Sequence, residues 1–135
     1  MMLKTYSDGA SRGNPGHAAI AYMILDENEK ILKKHAKYIG VKTNNQAEYD
    51  ALISTLEAAI ELEGKKIIHH MDSELVVKQL TKKYKVRNQQ LKKLWLRVQE
   101  LNNKFQEITF TYLPRTNKYI QEVDKLANIT LNSFI

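Results

Sequence analysis

The sequence predicts an α/β domain, a five-stranded mixed sheet with helices packed on it, in the order βββαβααβα. Two observations carry this expectation. Three strand-like apolar runs follow one another between Leu3 and Ile39 with only turns between them, and two later runs are each set off by segments of helical periodicity. A meander followed by strands that alternate with helices implies an antiparallel trio extended by parallel strands. The chain has 135 residues, 43% of them hydrophobic, which suits one domain, 1–135, with one core. No repeat, low-complexity tract or Pro/Gly/Ser-rich linker divides it.

The first run is Leu3 to Ser7. The turn Gly9-Ala-Ser-Arg-Gly-Asn-Pro-Gly16 separates it from Ala18 to Leu25, a spacing expected of an antiparallel pair. Asp26 to Glu29 then turns the chain into Ile31 to Ile39. Thr43 or Asn44 begins a helix expected to reach about Leu62, where Gly64 stops it. Leu52, Leu56 and Ala59 form its apolar stripe, and Glu48 lies one turn earlier on the same face. Lys66 to Met71 is the fourth strand, and Asp72-Ser73 supplies an N-cap for a helix carrying Leu75, Val76 and Leu80. From about Gln89 to Lys104, Leu91, Leu94, Trp95, Val98, Leu101 and Phe105 recur at helical spacing. Ile108 to Leu113 is the fifth strand, ended by Pro114. A last helix aligns Val123, Leu126, Ala127, Thr130, Leu131 and Phe134.

The absence of cysteine excludes a disulfide framework, cysteine-ligated zinc and a thiol nucleophile, and it fits a cytoplasmic protein. The N-terminus has no apolar export signal, and no stretch approaches the ~20 apolar residues of a membrane span. A soluble monomer with no membrane association is expected. Net charge is +6, with a pI of about 9.4. From Leu75 to Gln99 there is no acidic residue, while Lys78, Lys82, Lys83, Lys85, Arg87, Lys92, Lys93 and Arg97 all fall there. A one-sign patch of this size suits either a polyanionic partner such as nucleic acid or a solvated helix face.

Four carboxylates fall at element boundaries or on inward faces. Asp8 is read as ending the first strand, Glu48 as facing inward from the first helix, Asp72 as ending the fourth strand and Asp124 as opening the last helix. If the first and fourth strands are parallel neighbours, Asp8 and Asp72 lie side by side at the C-terminal edge of the sheet, where α/β folds bind ligands. Converging carboxylates call for a cation, and oxygen-only ligands favour a hard ion, Mg²⁺ or Mn²⁺. Several acids around one point suit paired metals roughly 3.5 to 4 Å apart, one activating water and the other stabilising the leaving oxygen of a phosphodiester. Taken singly, each acid also reads as a cap or strand-end residue.

The segments Asp8 to Gly16, Thr43-Asn-Asn-Gln-Ala-Glu48, Asp72-Ser73 and Val123-Asp-Lys-Leu-Ala-Asn128 resemble, in order, the four motifs of type 1 ribonuclease H. The resemblance covers nearly the whole chain. It implies a ribonuclease H-like fold and an endonuclease that cuts the RNA strand of RNA·DNA hybrids, leaving 5′-phosphate and 3′-hydroxyl ends. It also implies two ions held by Asp8, Glu48, Asp72 and Asp124, with Asp8 bridging both. Gly9, Ser11, Gly13 and Asn14, with Asn44 and Asn45, are expected to face the minor groove of the hybrid, and Thr43 a phosphate of the DNA strand. Glycine permits close backbone approach, and amide side chains can bond the 2′-hydroxyls that distinguish RNA.

The chain departs from the family pattern in three ways. Many members carry a histidine before the last aspartate, whereas Leu113 to Val123 contains none, leaving Arg115, Asn117 or Lys118 as substitutes. Glu74 stands where many relatives place a substrate-contacting glutamine. Thr81 to Asn88 is too short for the extra basic helix of some bacterial members, so the surrounding lysines and arginines are the expected source of that affinity. His69 and His70 are adjacent on a strand, point to opposite faces, and are expected to be structural, as are His17 and His35. Trp95 and Phe105 are expected in the core rather than stacked on bases. Two alternatives stay open at this point, a binding module of the same fold that is catalytically weak or inactive, and the same chemistry on double-stranded RNA.

Overall fold

The structure is a computed structural model that describes residues 1–134. The observed order is β1 (Met2–Ser11), β2 (Gly16–Asp26), β3 (Ile31–Lys42), α1 (Asn44–Glu61), β4 (Lys66–Met71), α2 (Glu74–Leu80), α3 (Gln89–Asn102), β5 (Glu107–Tyr112) and α4 (Lys118–Asn132). This is the expected βββαβααβα. The strands form one sheet, β3-β2-β1-β4-β5, in which β1, β2 and β3 pair antiparallel and β1, β4 and β5 pair parallel.

Alternation along the strands sends successive side chains to opposite faces, and each face finds a helix. Leu3, Tyr22, Ile24 and Ile67 pack with Leu52 and Leu56 of α1 and Val98 of α3. On the opposite face, Tyr6, Ala21, Met23 and Leu25 pack with Ile120, Val123 and Ala127 of α4.

Several element ends differ from the sequence reading. β1 does not stop at Asp8: its antiparallel ladder with β2 runs on to Ser11 opposite Ala18, while its parallel ladder with β4 ends at Tyr6 opposite His70. Beyond Tyr6 one edge of β1 is released, and the site opens there. The turn to β2 shrinks accordingly to Arg12–Pro15. Asp124 does not open α4; Asn117 is the N-cap, accepting from Tyr119 and Ile120 N–H, so Asp124 sits well inside the helix. At the end of α1 the left-handed residue is Glu63 (φ 60°) rather than Gly64. Gly64 leaves room for the Leu3 side chain instead, since a Cβ there would lie 2.6 Å from Leu3 Cδ1 and displace it.

The apolar stripes shift by single positions. Leu75 is exposed, and Val77 joins Val76 and Leu80 in the core. Phe105 is buried as expected, but Trp95 is only partly so, its indole N–H donating to the Gln79 carbonyl. Phe134 lies beyond α4, exposed, and stacks on Tyr38 at 4.2 Å. The paired histidines diverge as expected. His69 is fully buried between Thr5 and Ser7, and His70 stacks on Tyr6 from the opposite face.

Candidate active site

The β1–β4 register places Tyr6 opposite His70, so two residues further on Asp8 and Asp72 come level at the C-terminal edge of both strands. Asp72 is free to serve the site because Ser73 takes the capping duty for α2, its Oγ accepting from Val76 N–H. Glu48 arrives from α1, a helix held at its start by a reciprocal capping box. The Thr43 hydroxyl accepts from Gln46 N–H, and the Gln46 side chain accepts from Thr43 N–H. Gly9 lets that helix approach, since a Cβ on it would sit 2.2 Å from the Ala47 carbonyl carbon. Its backbone N–H donates to Glu48 Oε1. Asp124 joins the same cleft from α4 on the other face, near enough for its charge to act on Asp8.

Asp8, Glu48 and Asp72 each bring an oxygen to within 4.8 Å of the others. The crowding has an electrostatic consequence. Burial, then the charges of Glu48, Asp72 and Asp124, hold the Asp8 carboxyl far above the usual carboxylate range. Burial also raises Glu48, against the pull of the Gly9 N–H. Both effects penalise the ionised forms, and a divalent cation at the same place would reverse them. An all-oxygen cluster with excess negative charge therefore fits Mg²⁺ or Mn²⁺ in donor type.

The cleft around these acids has a volume of about 310 Å³ and also includes Gly9, Ser11 and Asn44. Asn14 stands at its margin, its Oδ1 accepting from Asn44 N–H and so joining the β1–β2 turn to the start of α1. Ser11 tightens the same turn, its hydroxyl donating to the carbonyls of Gly13 and Lys42. Gly13, Thr43 and Asn45 lie on these two segments outside the cleft lining. Glu74 is not brought in; its carboxylate pairs with Lys78 at 2.7 Å on the exposed side of α2.

Arg115 and Asn128 also line the cleft. Arg115 was one of three candidates to replace the absent loop histidine, and here its Nε donates to Asp72 Oδ2 at 3.3 Å. Asn117 is committed to capping α4, and Lys118 lies over the Tyr119 ring. Asn128 was visible only as a motif residue; the available signal was its position four after Asp124. A larger cavity, about 580 Å³, shares no residue with the carboxylate cleft. It is lined by Lys82, Lys85, Arg87 and Lys92 with Tyr84 and Trp95, which gathers four of the eight basic residues of that stretch.

Residues 6–130 match the family model described as reverse transcriptase-like. The chain is 41% identical to the ribonuclease HI of Halobacterium salinarum over 127 residues, 94% of this chain and 63% of that protein. The solved RNase H1 from the same archaeon superposes with a TM-score of 0.94 at 39% identity, covering 98% of this chain and 99% of that one. The chain belongs to the type 1 ribonuclease H family. An RNase H1 crystallised in complex with an RNA/DNA hybrid is also similar, with a TM-score of 0.90 and 33% identity over 98% of both chains. This ribonuclease H chain spans 63% of the Halobacterium relative and 35% of a bifunctional protein of Mycobacterium tuberculosis that is 36% identical over 129 residues. Within the ribonuclease H fold, all four motif acids fall at one sheet edge, with Asp8, Glu48 and Asp72 meeting directly.

Proposed function

We propose that this chain is a metal-dependent endonuclease that hydrolyses the RNA strand of RNA·DNA hybrids, leaving 5′-phosphate and 3′-hydroxyl ends. The observation that carries the reading is the convergence of Asp8, Glu48 and Asp72, with Asp124 lining the same cleft, at the open edge of β1. Two Mg²⁺ or Mn²⁺ ions, when bound, would supply water activation and charge stabilisation at the leaving oxygen. Asp8, Glu48, Asp72 and Asp124 would hold them.

The other residues bind and orient. Arg115 pairs with Asp72 while its side chain remains 77% exposed, so the guanidinium can turn toward an incoming phosphate. The Asn14–Asn44 contact sets the turn and the α1 N-terminus as one polar surface suited to 2′-hydroxyls, and the complex of a similar RNase H1 with an RNA/DNA hybrid supports that assignment. The basic surface from Lys82 to Lys92 suits phosphates further along the duplex.

The deciding experiment is cleavage of a labelled RNA·DNA hybrid beside matched DNA, single-stranded RNA and double-stranded RNA, with Mg²⁺, Mn²⁺ or EDTA, by wild type and Asp8→Asn. Cutting confined to the RNA of the hybrid, dependent on metal and on Asp8, is the expected result. Salt-sensitive binding without cutting by the folded wild type overturns it in favour of a binding module. In a thermal melt without metal near neutral pH, Asp8→Asn is expected to melt above wild type, because Asp8, its carboxyl pushed up to about 10, must take up a proton on folding and asparagine need not.

A further inference from the structure

Asn128 lies one turn beyond Asp124 on α4. Its side-chain amide donates to the Asp124 carbonyl at 2.9 Å and to the Asp124 carboxylate Oδ1 at 3.3 Å. Residues four apart share a helix face, which lets a short amide reach a carboxylate one turn back. The three acids whose oxygens all approach within 4.8 Å do not include Asp124. It lines the same cleft, and its carboxylate accepts from Asn128 along the helix. The main chain at Asn128 is held as well. Arg12, in the turn after β1, donates through Nη2 to the Asn128 carbonyl at 3.3 Å and to Asn132 Oδ1 at 2.6 Å.

We propose that Asn128 is a positioning residue for Asp124, and that Arg12 ties its placement to the β1–β2 turn. A carboxylate on a helix can rotate about two side-chain bonds, and a donor to one oxygen selects a subset of those rotamers. The amide does this without charge. An acid at 128 would add repulsion to a cluster already overloaded with negative charge, and a lysine or arginine would compete with a metal ion for the same oxygens. Because Arg12 lies in the turn expected to meet substrate, engagement of that turn bears on the same helix segment that carries Asp124. This inference rests on reading the four acids as metal ligands.

The test combines a Mn²⁺ titration of the free protein, followed by electron paramagnetic resonance, with steady-state cleavage of the hybrid and a thermal melt. Asn128→Leu, nearly the same size without a donor, is expected to weaken Mn²⁺ binding about fivefold and lower kcat about tenfold, with KM within about twofold. Asn128→Gln keeps a donor on the same turn and is expected to recover most of both losses. Arg12→Ala changes an exposed side chain and is expected to give a smaller loss, about twofold, in the same direction. If the leucine variant fails to fold, Asn128→Ala takes its place with the same expectations.

Wild-type Mn²⁺ affinity and kcat in the donor-less variant overturn the inference while leaving the proposed activity intact. Equal losses in the leucine and glutamine variants, matched by equal falls in melting temperature, also overturn it, because they mark a packing role. A folded wild type that neither binds Mn²⁺ nor cuts hybrid overturns the activity and the inference together.

Discussion

The backbone N–H of Gly9 donates to Glu48 Oε1, and the contact exists because residue 9 has no side chain. A methyl group on Gly9 would meet the Ala47 carbonyl carbon and oxygen at 2.2 Å and the Glu48 nitrogen at 2.4 Å. All three are main-chain atoms, so no rotamer change relieves the clash. One glycine thus sets how close α1 comes to β1 and, through that spacing, where Glu48 sits.

Gly9→Ala is therefore expected to damage fold and site together. Forced separation of α1 from β1 should cost about 2–3 kcal/mol in urea denaturation, typical of overpacking against backbone. The displaced Glu48 should also weaken Mn²⁺ binding in whatever fraction stays folded. Wild-type stability in this variant would show that the helix can move away at no cost.

Arg115 separates substrate handling from stability. Its ion pair with Asp72 is exposed on the arginine side, so Arg115→Ala should change unfolding free energy by less than about 0.5 kcal/mol. Turnover on hybrid should nevertheless fall by about 10- to 100-fold, as expected when a charge-stabilising donor is removed. Arg115→Lys keeps the charge but loses the planar fork, and it should fall between the two. Unchanged kcat in Arg115→Ala would assign the arginine to the resting site alone.

The basic cavity makes a prediction about salt. Replacing Lys82, Lys85 and Arg87 together by glutamine should weaken hybrid binding and flatten the dependence of log K on log salt, by up to about 0.9 for each phosphate no longer neutralised. The melt should move little, since these side chains surround a cavity open to solvent. An unaltered salt slope, measured by fluorescence anisotropy, would leave this surface without a role in substrate binding.

His69 predicts how stability changes with pH. Burial, followed by the nearby His70, lowers its pKa to about 3 from an unfolded value of 6.5. The unfolded chain therefore binds the proton first. Stability contributed by neutral His69 is complete above pH 6.5 and is lost as pH falls through 6.5 toward 3, at up to about 1.4 kcal/mol per pH unit. Urea denaturation at pH 7.5, 6.0 and 5.0 should show a flatter profile for His69→Gln than for wild type. Parallel profiles would mean that water reaches the Thr5–His69–Ser7 network.

The order of elements, the opposed faces of His69 and His70 and the four acids were legible in the sequence, because each depends on local rules. Period-2 and period-3.6 patterning place side chains on faces, and turn residues mark the breaks. The site was legible to the extent that its acids lie in recognisable local motifs. What only the tertiary structure decided depends on pairing between distant segments. The β1–β2 ladder outlasts the β1–β4 ladder, so β1 runs past Asp8 and leaves it at a released edge. Asn117 caps α4, which carries Asp124 from the expected helix start into the helix. Arg115 reaches Asp72 across 43 residues of sequence. Local periodicity fixes which way a side chain faces on its own element; ladder register and helix caps, which join residues far apart in sequence or shift an element by a turn, determine what it meets.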